Sequence, residues 1–420
     1  MSDPPPDRAD PGGVADPPPA DPARARCRAL AALCVTEVTS WGVLYYAFPV
    51  LLATLTRDTG WSTAQAIGAF SVGALVAAVA AVPVGRLLDT LGPRPVMTTG
   101  SVLGVLAVVA IAAAPGLGWF YLAWAVAGVA QATTLYPPAF AALTGWYPPA
   151  ERIRALTTLT LVAGLASTVF APLTAALLTA LSWRQTFLVL AAVLGLVTIP
   201  LHAGLLTPRW PGRRRERDPA ARAGAKADDL AHSASVLRSR PFAVLVAVMT
   251  LTGFGSYAAT INLVPLLTGR GYGTGLAAWA LGSVGVGQLL GRVGYGTLAR
   301  RSSPRVRTAL IPAMAAVWVA ALGLLPGPAA ALVALAVLAG AARGAHTLLQ
   351  ASAVADRWGT RAFGRVNGVF SAPVTAAIAL APAGGTLVAD LVGGYPAGFV
   401  ALAALTALAS VAALATDPGR

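Results

Sequence analysis

Three charged residues stand inside long apolar stretches of the chain: Glu37, Arg292 and Arg343. A charge in hydrocarbon costs about 2.5–3.5 kcal/mol on insertion scales, so these side chains are the first candidates for function. A buried arginine offers a planar fork that binds a carboxylate through two parallel hydrogen bonds. Glu37 and Arg343 lie at comparable depth in their stretches, and pairing would lower the desolvation cost of each. The sequence leaves two versions of that pair open: a permanent ion pair, or one that a substrate anion or a proton opens. His346, one turn from Arg343, either shares a proton or packs. Arg292 is a second anion candidate, or it reaches toward the water beside Arg300 and Arg301. Two arginines against one carboxylate favour an anion as cargo.

Polar and aromatic residues surround these charges. Glu37, Trp41 and Tyr45 fall at i, i+4 and i+8, on one face of a helix. That face presents a carboxylate and two rings to a cavity, or it is a packing stripe. A later stretch carries Trp124, Gln131 and Tyr136, followed by Pro137-Pro138. Gln131 precedes Arg343 by 212 residues. Asn262 and Pro265 read as a kinked polar helix, or Asn262 as a contact between helices. Gln288 stands one turn before Arg292.

The elements that carry these residues are membrane spans. The chain has 420 residues, 56% hydrophobic and 11% charged, whereas soluble domains carry about 25% charged residues. Apolar runs recur at roughly 30–56, 62–84, 96–114, 119–143, 155–181, 185–206, 241–268, 276–299, 306–325, 328–352, 365–389 and 394–415. A bilayer needs about 20 residues per helix, and lipid offers backbone amides no other partner. Twelve transmembrane helices are therefore expected. The net charge of +14 could suggest nucleic acid, but its placement argues against that. With a cytoplasmic N-terminus, only Arg57, Arg184 and Arg270 of the 30 basic residues fall in external loops, and Arg292 and Arg343 lie within spans. This is the positive-inside bias, and it places both termini in the cytoplasm.

Residues 207–240 interrupt the pattern with nine basic and four acidic residues, among them Arg213-Arg214-Arg215. They read as a basic, unstructured cytoplasmic linker, solvated or docked on anionic headgroups, between bundles at 29–206 and 241–416. Residues 1–28, rich in Pro and Asp, read as a disordered cytoplasmic tail. The halves echo each other weakly: Gly85 with Gly296 and Arg154 with Arg365, at an offset of 211. Such repeats, with a site between them, build many secondary transporters. Cys27 and Cys34 suggest neither a metal site nor a disulfide framework. There is no GxxxxGK[ST] loop, HExxH or paired CxxC, so neither ATP, a cofactor nor a metal is expected.

One loop carries a family resemblance. Gly85-Arg86-Leu87-Leu88-Asp89-Thr90-Leu91-Gly92-Pro93-Arg94 resembles the segment between helices two and three of major facilitator transporters. Trp183-Arg184-Gln185-Thr186-Phe187 is similar to another feature of that superfamily, and the resemblance covers about 30–415. It implies two pseudo-symmetric six-helix bundles, with helices 1, 4, 7 and 10 lining a cavity. It also implies that Asp89 faces the start of helix 11 near Arg365 and Asn367. There, with Gly85, Arg86, Gly92 and Arg94, it would hold the halves together on the inner side; the alternative is a basic loop with turn residues. A narrower resemblance is to monocarboxylate transporters. It rests on Tyr46-Ala47-Phe48-Pro49 and on Arg292 followed by Gly296. Val50 replaces that group's lysine and Gln288 its aspartate, so its proton-handling pair is not implied. Trp124 stands where drug–proton antiporters carry an arginine.

The expected function is secondary active transport of a small organic anion, such as a carboxylate, by alternating access. Protons are the candidate coupling ion and Glu37 their carrier. The expected setting is the plasma (inner) membrane, as a monomer embedded in the lipid bilayer with no nucleic-acid partner and no enzymatic activity. The competing readings are an efflux pump for hydrophobic or amphipathic compounds and a non-transporting membrane sensor.

Overall fold

The computed structural model describes residues 22–210 and 219–417, without the side chains of 219–223 and 226. Twelve rods cross it: α1 (Pro22–Thr59), α2 (Thr63–Leu91), α3 (Pro93–Ala112), α4 (Leu117–Thr134, resuming as Tyr136–Trp146), α5 (Pro149–Leu178) and α6 (Trp183–Leu205) form the first half. The second half contains α7 (Arg240–Ile261, resuming as Leu263–Gly269), α8 (Thr274–Arg301), α9 (Pro304–Leu324), α10 (Ala329–Trp358), α11 (Phe363–Leu391) and α12 (Tyr395–Ala415). Eleven of these are long and apolar enough to cross a membrane. α4 is the exception, because the backbone turns extended at Leu135 before Pro137 and Pro138 open its second piece.

Local sequence sets the ends of the rods. Ser62 and Gln65 form a capping box at the start of α2, and Ser182 and Gln185 form its counterpart at α6; each satisfies two orphan amides. Ser239 and Ser303 cap α7 and α9. Two arginines expected outside cap helix C-termini at the end opposite the linker. Arg184 donates to the Ala112 carbonyl at 2.9 Å, and Arg270 to those of Leu322, Gly323 and Leu325. A cation there suits the negative end of the helix dipole.

The tail and the linker differ from the sequence reading. α1 begins at Pro22, inside the segment expected to be disordered. The linker contains a helix, Pro219–Arg238. Its alanine-rich sequence has high helix propensity, and Ser233 and Val236 bury a face of it. Arg213-Arg214-Arg215 lie outside the described residues, as do residues 1–21.

Glycines let helices meet backbone to backbone. Gly287 and Gly291 of α8 pack against the Val337 and Ala341 carbonyls of α10, while Gly340 and Gly344 return the contact on Val284 and Gln288. Gly85 of α2 meets Gly364 of α11 across the two halves. At the linker end both halves share one core, from Leu33, Met97 and Leu156 to Leu245, Leu348 and Phe370. At the opposite end each half has its own core, around Leu51, Ile111 and Phe187 or around Leu266, Leu322 and Phe399. The halves are therefore joined at one end and separate at the other. Large apolar side chains such as Val79, Leu196 and Leu391 cover the outer surface, as lipid contact requires.

Candidate functional site

The centre of the molecule begins with a defect in α1. Residues Gly42–Tyr46 form a π-helical turn, which inserts an extra residue and leaves backbone groups poorly paired. Gln131 of α4 satisfies one of them, its Nε2 donating to the Leu44 carbonyl at 2.9 Å. The extra residue brings both Tyr45 and Tyr46 beside Trp41, with ring centroids 5.4 and 6.3 Å away. Tyr136, opening the second piece of α4, stands 5.1 Å from Trp41. All four rings are half-buried. Behind them Phe48, Phe70 and Trp124 interlock at 4.8–5.1 Å.

The second half supplies the charges. The Arg343 guanidinium lies 3.7 Å over the Tyr257 ring, a cation–π contact. Arg292 is buried and donates to the Thr160 carbonyl of α5, across the two halves, at 2.5 Å. The Nε of each arginine is buried without a partner. Tyr45 and Tyr46 lie within electrostatic reach of Arg343 and Tyr257, and Tyr46 and Tyr136 within that of Arg292. The helix of Arg343 also packs against the piece of α4 that Tyr136 opens, which sets the aromatic wall of one half toward the second half. Two small hollows lie elsewhere and exclude both arginines, one within the second half beside Ser256 and Thr260 and one at the linker end beside Gly85 and Asn367.

Several site expectations change. Glu37 and Arg343 form no ion pair: Arg343 leans on Tyr257, and Glu37 is fully buried beside Trp41 with no cationic partner among the described residues. Trp41 and Tyr45 remain neighbours across the π turn, as the shared face predicts, and Glu37, one turn before Trp41, is fully buried. Gln131 is buried and spends its amide on α1. His346 packs, its Nε2 3.3 Å from the Met249 carbonyl. Arg292 crosses to α5 rather than reaching toward water. Asn262 is buried at the break in α7, donating to the Ala258 carbonyl and accepting from Thr386. Gln288 is half-buried, with its carbonyl against Gly344. Tyr46 and Tyr257 are the site residues the sequence reading passed over. Both lay at the 211-residue offset already visible elsewhere, which could have found them.

At the linker end, the Asp89 carboxylate accepts the Gly364 amide at 2.6 Å and the Arg365 amide at 2.7 Å. These are free N–H groups of the first turn of α11, where an anion is stabilised. Trp210 closes over the loop, packing on Gly92, whose φ is +81°, and donating to the Asp89 carbonyl at 3.3 Å. The expected charge network is not formed: Arg86 and Arg94 are exposed and unpaired among the described residues, and Arg365 contributes its backbone amide. A surface pair, Arg361 with Asp229 at 2.7 Å and Asp228 at 3.5 Å, ties the linker helix to the start of α11. Among the described residues no group of His, Cys, Asp or Glu could hold a metal.

Comparison with known proteins places this geometry. The sequence profile of the Major Facilitator Superfamily matches residues 33–332. Monocarboxylate transporter 13 of Rattus norvegicus is 28% identical over 391 residues, 92% of this chain and 86% of that protein. The uncharacterized transporter YybO of Bacillus subtilis (strain 168) is 31% identical over 144 residues, 34% of this chain and 33% of that protein. The transporter FucP in its outward conformation superposes with a TM-score of 0.73 at 15% identity, covering 93% of this chain and 99% of that one. The human organic anion transporter MFSD10 (TETRAN) does so with a TM-score of 0.69 at 17% identity, covering 95% and 100%. At these identities the structural likeness bears on the fold alone.

Proposed function

Because the chain belongs to the major facilitator superfamily, we propose that it is a secondary active transporter moving a small organic anion, a carboxylate, by alternating access. The observation that carries the substrate reading is Arg343. It is a half-buried guanidinium with no acidic partner, stacked on Tyr257 where the two halves face each other. An uncompensated cation in lipid is costly, and a carboxylate substrate would neutralise it through a bidentate contact. Arg292 lies within the same field and would add to the attraction.

The shared core at the linker end and the separate cores opposite support a state closed on one side. Asp89 on the first turn of α11 would be the bolt of that closure, with Gly85 allowing the close approach. The linker end would be cytoplasmic, in the plasma (inner) membrane, with both termini on that side and the protein working as a monomer. Glu37 is the candidate proton carrier. Ionised and with no cation beside it, it would be costly in its apolar site, whereas the protonated acid is far less so. The fit of carboxylate cargo with the similarity to monocarboxylate transporter 13 supports this reading. The aromatic wall favours one alternative, an efflux pump for amphipathic compounds, which would tolerate Arg343→Ala.

The test is uptake of labelled carboxylates into proteoliposomes, with and without a pH gradient. Arg343→Ala should abolish uptake and Arg343→Lys should retain part of it. Movement of lipophilic cations with no carboxylate uptake would overturn the proposal, and uptake insensitive to the pH gradient would remove the proton role from Glu37.

A further inference from the structure

We propose that the anion is an aryl carboxylate, its carboxylate held by Arg343 and its ring by the wall of Trp41, Tyr45, Tyr46 and Tyr136. This rests on the carboxylate reading above and goes beyond it, because the argument comes from the other half of the molecule. The four rings border the core without being sealed in it: Tyr136 stacks on the buried Phe140 at 5.0 Å. The aromatic packing behind them is completed by Phe48, Phe70 and Trp124, while the four in front remain half-buried. The hydroxyls of Tyr45, Tyr46 and Tyr136 make no hydrogen bond among the described residues, and they are absent from the atoms sealed from solvent. The hydroxyl edge of the wall is therefore free to meet a guest, while the Trp41 Nε1 is sealed.

Its geometry suits an aromatic guest over an aliphatic one. Trp41 meets Tyr45 edge to face at 70°, and Tyr45 meets Tyr46 at 79°. Edges and faces thus alternate along the surface. A flat ring can set its positive edge on one face and its negative face on a neighbouring edge, the arrangement aromatic pairs prefer. A saturated ring of the same size gains the area alone. At the other end, the guanidinium sits over the Tyr257 ring with no acidic partner among the described residues, so its outer N–H groups would meet a carboxylate. The helix that carries Arg343 packs against the piece of α4 that Tyr136 opens, and Tyr45 and Tyr46 share electrostatic reach with Arg343 and Tyr257, so wall and cation lie on facing elements. A cationic aryl compound would meet Arg343 and Arg292 instead of a counter-charge. The π turn held by Gln131 is what brings Tyr45 and Tyr46 to the same wall.

The test measures inhibition of labelled benzoate uptake, and the shift of thermal unfolding of purified protein, with four unlabelled probes: benzoate, cyclohexanecarboxylate, lactate and glucuronate. Benzoate should act at concentrations about tenfold or more below the other three, the preference expected from one or two aromatic pairs. Tyr45→Leu should bring benzoate and cyclohexanecarboxylate together, while Arg343→Ala should remove the response to every carboxylate. If cyclohexanecarboxylate, lactate or glucuronate matches benzoate in the unaltered protein while the response still depends on Arg343, the aryl proposal fails and the carboxylate reading stands. If no carboxylate protects the unaltered protein or competes, both fail. The unfolding shift reports binding even where a variant transports poorly.

Discussion

Asp89→Asn removes one charge and one acceptor from the clamp between α2 and α11. In the native protein Oδ1 and Oδ2 each accept one backbone amide, at 2.6 and 2.7 Å. A hydrogen bond to a charged group contributes about 1.5–3 kcal/mol. Asparagine keeps one acceptor but turns an N–H₂ toward the second amide, so one bond is lost and the other becomes neutral. A weakening of about 2–3 kcal/mol follows, which shifts the balance between closed and open linker ends about 30- to 150-fold. The assay places a reporter cysteine at Val84, a buried position beside Gly364 and Gly368, in a Cys27→Ser, Cys34→Ser background. Alkylation from the linker side of inverted vesicles should accelerate by that factor. Uptake should slow at equal protein level, because the state open on the opposite side is depleted. An alkylation rate within about twofold of the parent would refute the clamp and the arithmetic with it.

Gln131→Leu leaves the Leu44 carbonyl without its donor; the protein should lose about 1–3 kcal/mol of stability, and uptake should fall further than that loss explains because Tyr45 and Tyr46 move, as thermal unfolding and uptake measured together would reveal. Gly344→Ala drives a methyl into the Gln288 carbonyl; the resulting strain of about 1–3 kcal/mol should lower the unfolding temperature, and an unchanged or raised value would mean that α8 and α10 separate at no cost. Arg361→Ala breaks a pair whose partners are 48% and 51% exposed; an exposed pair is worth about 0–1 kcal/mol, so the unfolding temperature should barely move, and any change should vanish at high salt.

Much of the architecture follows from pattern alone. The apolar runs, the one-sided arginines and the break at 207–240 locate the spans and the halves, because lipid leaves the backbone few choices. The contact of Asp89 with the start of α11 is foreshadowed by its loop motif. The linker helix was hidden because its charges resemble a disordered segment, while its alanines and its buried Val236 decide otherwise. Among site residues, Glu37, Arg292 and Arg343 were visible as charges in apolar runs, but their partners were not. Depth along a span does not say which way a side chain turns, and Arg343 turned to Tyr257 rather than to Glu37.

That this chain spans a membrane as two related halves is written in its segments, since hydrophobic length and charge placement are properties of each segment taken alone. What faces what emerges on folding. The inserted residue in the turn Gly42–Tyr46 brings Tyr46 to the side where Trp41 and Tyr45 already stand, which fixed helical spacing does not anticipate. Which group meets which depends on contacts between segments far apart in the chain, such as Arg292 with Thr160 and Gln131 with Leu44. Such contacts are set by packing and leave no local trace in the sequence.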